Sequence, residues 1–322
     1  MSTGTLTRCD DRRALAAVLD PVRAAGGPVA FVPTMGALHG GHRALVERAS
    51  TLAPTVVVSI FVNPTQFDAA SDLATYPRTL DADLVLLADV ADTTGIDLVA
   101  YVPTVADVYP DGPVSTVHVP EVTEHLCGAT RPGHFDGVAT VVDALLRAVA
   151  PTVLVMGRKD HQQLVVARRL IALRGHDVVL DAAPTVRADD AVAVSSRNAL
   201  LDADARTVAR RIPRALGAAV AHVRAARDAT VMVDPAGLRV ASADVLAGDG
   251  LRIDYVETVD PDRIVPVHGA QDPDAPLLLA VAAHVTSGER TVRLIDNVLL
   301  GDREDEDRLL AALDAASGHD AN

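Results

Sequence analysis

The stretch PVAFVPTMGALHGGHRALVERA, residues 28–49, decides how this chain is read. It opens on strand-like PVAFV (28–32), turns through glycines, and continues into apolar residues spaced by three and four from Arg43 to Leu52. A strand, a tight turn and a helix in that order begin a parallel βαβ unit. The same rhythm recurs at TVVVSIFV (55–62), DLVAYV (97–102), TVLVM (152–156) and DVVLDA (177–182). Helical spacing fills 80–90, 137–149 and 162–174. These runs predict an α/β domain over residues 1–187, a doubly wound parallel sheet covered by helices on both faces.

After residue 187 the pattern changes. An Ala- and Arg-rich helical stretch (199–227) precedes strands at RIDYVETV (252–259), PLLLAVAAHV (276–285) and TVRLIDNVLL (291–300). This predicts a second, smaller α+β domain over 188–300, followed by a charged, flexible tail (301–322) with room for one short helix.

Composition excludes several classes of function. A formal net charge of −14 opposes general binding to a phosphate backbone, and a chain with 2% aromatics and no Trp has few surfaces for stacking bases. Nucleic acid is therefore not an expected partner. Cys9 and Cys127 form no CxxC pattern, which argues against a disulfide framework or a thiolate zinc cluster and fits a reducing compartment. The N-terminus lacks an apolar signal core, and the most apolar stretch, 141–156, is broken by Asp143, Arg147 and Pro151. The expected location is the cytoplasm, with no membrane partner.

The chemistry gathers where strands end. In PTMGALHGGH (33–42), glycines let a ligand approach the backbone, the following helix N-terminus offers free N–H groups, and His39 and His42 are spaced to donate to phosphoryl oxygens. Turn glycines with capping histidines, or a zinc-binding HxxH, are the alternatives. VMGRKDHQQ (155–163) holds Lys159, the only lysine in a chain that otherwise uses arginine, and a compact mobile ammonium suits phosphate oxygens. A chance surface lysine is the plain alternative. In VSSRNALL (194–201), Ser195, Ser196 and Arg197 can clamp a polyphosphate, or a serine can simply cap the next helix. FVNPTQF (61–67) offers the amides of Asn63 and Gln66, joined by Gln163, as a pocket for a small polar acid. RPGHFDGVATVV (131–142) adds Arg131, His134 and the apolar Val138, Val141 and Val142, which a helix packed on a sheet would need in any case.

PTMGALHxGH, SIFVNPTQF, YPRT, RPGHFxGVxTVV, GxKDxQQ and SSRN stand in the order and spacing of the pantothenate synthetase (pantoate-beta-alanine ligase) family, which the chain resembles over about residues 28–200. The resemblance implies a Rossmann-like domain of the nucleotidyltransferase superfamily with HIGH-type signatures, a C-terminal lid and a homodimer. It implies that ATP and pantoate form a pantoyl adenylate and pyrophosphate, and that beta-alanine then displaces AMP to give pantothenate, with Mg2+ accompanying the ATP. By the same resemblance His39, His42, Lys159, Ser195, Ser196 and Arg197 are catalytic. ATP would lie against Pro33, Met35, Gly41, Gly157, Asp160, Val186 and Val194. Pantoate would lie against Met35, Asn63, Gln66, Arg131, Val138, Val141, Val142 and Gln163, and the metal near Asp83. The chain departs from the family pattern at Gly40, Ala82, Arg158, His161, Ala191 and Val194. A related nucleotidyltransferase with another acid substrate, or a nucleotide-binding subunit without turnover, are the competing functions.

Overall fold

The computed structural model describes residues 4–67 and 70–319, and its packing divides the chain into two units: Met1–Arg158 with Gln162–Ala183, and Lys159–His161 with Pro184–Asn322. In the first unit, β1 (Thr5–Cys9) and α1 (Arg12–Ala24) precede β2 (Val29–Thr34), α2 (Gly40–Ser50), β3 (Thr55–Ile60) and the short α3 (Ala70–Thr75). Then come α4 (Leu80–Thr94), β4 (Asp97–Tyr101), α5 (Val105–Val108), α6 (Cys127–Thr130), α7 (His134–Val149), β5 (Val153–Gly157), α8 (His161–Arg174) and β6 (Val179–Ala183). The six strands lie in the order β1-β4-β3-β2-β5-β6, and every pairing is parallel.

The β-branched runs explain this sheet. Val29 to Val32 and Val56 to Val58 are buried on both faces, as strands between two helical layers must be. From β2 the chain steps to β3 on one side, and later returns to β5 on the other. That reversal opens a crevice beyond the carboxyl ends of β2 and β5, where α/β sheets bind ligands. The loop after β2 is PTMGALHGGH, and β5 delivers Gly157 to the same edge. Strand β1 falls on TLTRC, at the edge of the sheet beside β4, outside the runs that the sequence marks as strands.

The second unit is built from α9 (Ala203–Ala209), α10 (Arg211–Ala229), α11 (Pro235–Leu246), β7 (Leu251–Val259), β8 (Leu277–Ser287), β9 (Arg290–Leu300) and α12 (Arg303–His319). Its three strands form an antiparallel sheet, β7-β8-β9. Alternate residues of β8, from Leu277 to Val285, join Leu216, Val220 and Val223 of α10 and Leu238 and Leu246 of α11 in one core.

Where the sequence reading expects a flexible tail from residue 301, the structure has the 17-residue helix α12; residues 320–322 lie outside the described residues. The charge run hides an anchor. Glu306 is fully buried and accepts from Arg227 at 3.1 and 3.2 Å, from Arg224 at 3.3 Å and from the Gly301 amide at 3.0 Å. A carboxylate so satisfied is stable inside, and Leu309 fills the core beside it.

Candidate active site

The loop after β2 is shaped by its own polar groups. Thr34 donates its hydroxyl to the Ser59 carbonyl at 2.6 Å and accepts from the Gly36 amide at 3.2 Å, so the chain folds back as the strand ends. Gly36 and Ala37 follow with φ of 78° and 51°. At Gly36 a Cβ would also come within 3.0 Å of Asp83 Oδ2 and Ile60 Cγ2, so conformation and space both favour glycine. Asp83, on the first turn of α4, holds the loop from below: its carboxylate accepts the Ala37 amide at 3.0 Å, the Leu38 amide at 2.8 Å and the Thr79 hydroxyl at 3.0 Å.

His39 is the N-cap of α2, and its Nδ1 accepts from the Gly41 amide at 3.1 Å. A neutral imidazole that accepts at Nδ1 carries its proton on Nε2, so the distal nitrogen is the donor. The His42 ring lies over it, with centroids 4.1 Å apart and planes tilted by 32°. Capping and presentation are therefore one arrangement. A helix N-terminus flanked by two imidazoles suits an anion that gains charge during reaction.

A cluster of amides and apolar side chains lies in the same unit. Asn63 is 1% exposed and its side chain is spent on neighbours. Its Oδ1 accepts from the Thr65 amide, the Thr65 hydroxyl and the Tyr109 phenol, while Nδ2 donates to the Gly137 carbonyl at 3.1 Å and to Gln66 Oε1 at 3.0 Å. Burial holds the Tyr109 phenol above its ordinary pKa despite the Thr65 hydrogen bond, which keeps it a donor. Gln66 is thus fixed at its oxygen, while its Nε2 rests on the Met35 sulfur at 3.0 Å, a weak acceptor that a substrate oxygen would outcompete. Arg131 and His134 both donate to the Gln66 carbonyl, at 3.3 and 2.8 Å. Val138, Val141 and Val142 are buried along α7, and Gly137 on that helix approaches the Thr65–Gln66 backbone so closely that a Cβ would lie 2.3 Å from the Thr65 oxygen. Gln163 is half-buried in the first turn of α8.

In the second unit, Lys159 and Asp160 lie in the 3-10 turn Arg158–Asp160, with Nζ 3.5 Å from Asp160 Oδ2. His161 is tied through Nε2 to the Pro261 carbonyl at 2.8 Å. Residues 186–194 form a small hairpin in which the Val194 amide donates to the Val186 carbonyl at 2.9 Å. Ala191 sits at its tip with φ of 67°, where glycine would be unstrained. Ser195 accepts from the Arg197 amide at 3.3 Å, so the capping alternative holds for this residue. Arg197 is half-buried, and its guanidinium has no side-chain partner among the described residues.

The carboxylate assigned to the metal by resemblance does not fit a direct ligand. Asp83 is 2% exposed and its two oxygens are taken by three protein donors, and among the described residues no group of three or more His, Cys, Asp or Glu is arranged to hold an ion. Two further residues shape the site: Tyr109 carries no sequence signal of its own, and Gln162 only its place in the GxKDxQQ motif. Tyr109 sets Asn63, and Gln162 pins the segment ahead of Arg131 by donating to the Val122 and His125 carbonyls at 2.9 and 2.8 Å and accepting the Cys127 amide at 3.1 Å.

A family model described as pantoate-beta-alanine ligase matches residues 7–299. The pantothenate synthetase of Geobacter sp. strain M21 is 44% identical over 86% of this chain and 93% of its own length. That of Pseudomonas aeruginosa PAO1 is 44% identical over 89% and 96%. Among solved structures, a pantothenate synthetase from Thermus thermophilus superposes with a TM-score of 0.78 at 39% identity, covering 91% of this chain and 98% of that one. The pantoate-beta-alanine ligase of Francisella tularensis, complexed with beta-gamma ATP and beta-alanine, gives 0.69 at 28% identity, covering 92% and 98%.

Proposed function

The chain belongs to the pantoate-beta-alanine ligase family, and from that premise we propose that it joins pantoate to beta-alanine through a pantoyl adenylate made from ATP. A carboxylate oxygen of pantoate attacks the α-phosphorus, the bond from that phosphorus to the bridging oxygen breaks, and pyrophosphate leaves. The amine of beta-alanine then attacks the acyl carbon, the bond to the AMP oxygen breaks, and the nitrogen gives up a proton as the amide forms. Converting a carboxylate into a species with a good leaving group removes the main barrier to amide formation.

The observation that carries this reading is the His39 cap, whose Nδ1 is held by the Gly41 amide and whose Nε2–H is the donor, stacked on His42 at the N-terminus of α2. Phosphate charge developing there meets preset donors, which cost no reorganisation during reaction. Gln66 Nε2 serves a pantoate oxygen, and Met35 with the α7 valines takes its methyl groups. Lys159, Ser196 and Arg197 hold the departing pyrophosphate, with Ser195 shaping their loop. Magnesium comes in on the phosphates of the nucleotide, without direct coordination by Asp83. A cytoplasmic homodimer completes the proposal, on the family resemblance and on two buried cysteines with no disulfide.

The test is ATP–pyrophosphate isotope exchange with pantoate present and beta-alanine absent. Exchange that depends on pantoate, and that Lys159→Ala lowers by roughly 10²-fold or more, is expected. Exchange independent of pantoate would reject the substrate, and exchange unaltered in Lys159→Ala would reject the role of the lysine.

A further inference from the structure

Strand β9 carries the run LIDN, residues 294–297, for which the reaction outlined above has no use. Asp296 and Asn297 are both buried, and buried polar side chains persist where they are partnered. Their partners are the turn that carries Lys159 and the hairpin that precedes Ser195–Arg197. Asp296 receives both terminal nitrogens of Arg187, at 2.7 and 3.1 Å, and Arg187 also donates to the Ala191 carbonyl at 3.1 Å. This ties the first arm and the tip of the hairpin that runs directly into Ser195–Arg197. Asn297 donates from Nδ2 to the Lys159 carbonyl at 2.8 Å. The Asn297 amide in turn donates to Asp296 Oδ1 at 2.9 Å, so the carboxylate is itself oriented. Successive side chains of a strand point to opposite faces, so one backbone step can reach two separate segments.

We propose that the Asp296–Asn297 step is the positioning element that fixes Lys159 relative to Ser195–Arg197, and so presets the cation spacing that ATP phosphates meet. Neither side chain need touch the nucleotide. The inference rests on the reading of Lys159 as a phosphate ligand. It extends that reading by giving the lone lysine a backbone anchor, and by using one strand to lock two loops that are far apart in sequence.

The experiment is a double-mutant cycle on the full chain, read as the dissociation constant for ATP by calorimetry without pantoate, with thermal melting of every variant. Lys159→Ala is expected to weaken ATP at least tenfold, and Asn297→Ala by about five- to tenfold. If Asn297 acts through Lys159, the double variant binds within about twofold of Lys159→Ala alone. Asn297→Asp, which keeps the volume but loses the amide donor, is expected to match Asn297→Ala. Losses that multiply, or an Asn297→Ala affinity equal to wild type, would overturn the positioning role while leaving the phosphate reading intact. An unchanged affinity in Lys159→Ala would overturn the phosphate reading itself. If neither Asn297 variant folds, Asn297 is a stability residue and the proposal fails.

Discussion

Gly137→Ala tests the amide cluster through a single methyl group. The new Cβ would lie 2.3 Å from the Thr65 oxygen, 2.6 Å from the Thr65 carbonyl carbon and 2.8 Å from the Gln66 Cα, where ordinary contact begins at 3.4 Å. The 64–66 turn, or helix α7, must therefore retreat by about 1 Å (3.4 − 2.3). These atoms are backbone and cannot rotate away. Overpacking of this kind costs about 1–3 kcal/mol, and the better helix propensity of alanine offsets up to about 1 kcal/mol, so a net loss of roughly 0–3 kcal/mol is expected. The functional effect should be larger. The Gly137 carbonyl also anchors Asn63, and Asn63 anchors Gln66, so the shift carries the Gln66 amide, proposed to hold pantoate, with it. A misplacement near 1 Å can cost on the order of 100-fold. In pyrophosphate exchange, KM for pantoate is expected to rise about 10- to 100-fold while KM for ATP stays within about twofold. A folded variant with an unchanged KM for pantoate would refute the reasoning, since Gln66 would then not be held through Gly137.

Three other outcomes follow from individual residues. Ala191→Gly relieves a left-handed alanine worth about 1–2 kcal/mol against an unfolded-state entropy loss of about 0.4–1 kcal/mol, so the melting temperature should rise by up to roughly 2 °C; a fall would show that the strain is not real. Asp83→Asn turns an NH2 group toward a loop amide, and kcat/KM should drop about 10-fold or more with the magnesium dependence of the rate unmoved within about twofold, whereas a shifted magnesium midpoint would restore a metal role. Burial alone would raise the Asp190 pKa, but the Arg206 hydrogen bonds at 2.6 and 2.7 Å and the guanidinium charge outweigh it and hold the carboxyl below its usual range. Its stabilisation is present above the unfolded value near about 3.9 and is lost as pH falls through the lower folded value, so Asp190→Asn should flatten the acid loss of stability, and equal slopes would count against the pair.

The parallel sheet was legible because runs such as TVVVSI have only one comfortable environment, a strand buried on both faces. TLTRC gave no such signal: an edge strand with three exposed residues carries polar side chains that a loop could equally hold. Asn63, Gln66 and the histidines stood out by residue type beside a strand end. What each one does was less legible. Asn63 braces Gln66 instead of offering a free amide, and Asp83 braces a loop, because their partners, Tyr109, Gly137 and the Ala37 and Leu38 amides, are more than 40 residues away in sequence and are brought close only by the fold. The buried Glu306 shows the same limit: a charge run reads as solvated until its arginines are placed.

A chain with one lysine also has one ε-amine, and in the fold that lysine's side chain is 17% exposed, with Nζ 3.5 Å from Asp160 Oδ2. An acylating reporter used at mildly alkaline pH therefore has two attachment points, Lys159 and the α-amino terminus, and peptide mapping tells them apart. A lysine-specific protease has a single internal cleavage site, in the Arg158–Asp160 turn. If Lys159 holds the nucleotide phosphates as proposed, occupancy can be followed as protection of one covalent position, without a radiolabel and without turnover, a readout that a lysine-rich surface would drown.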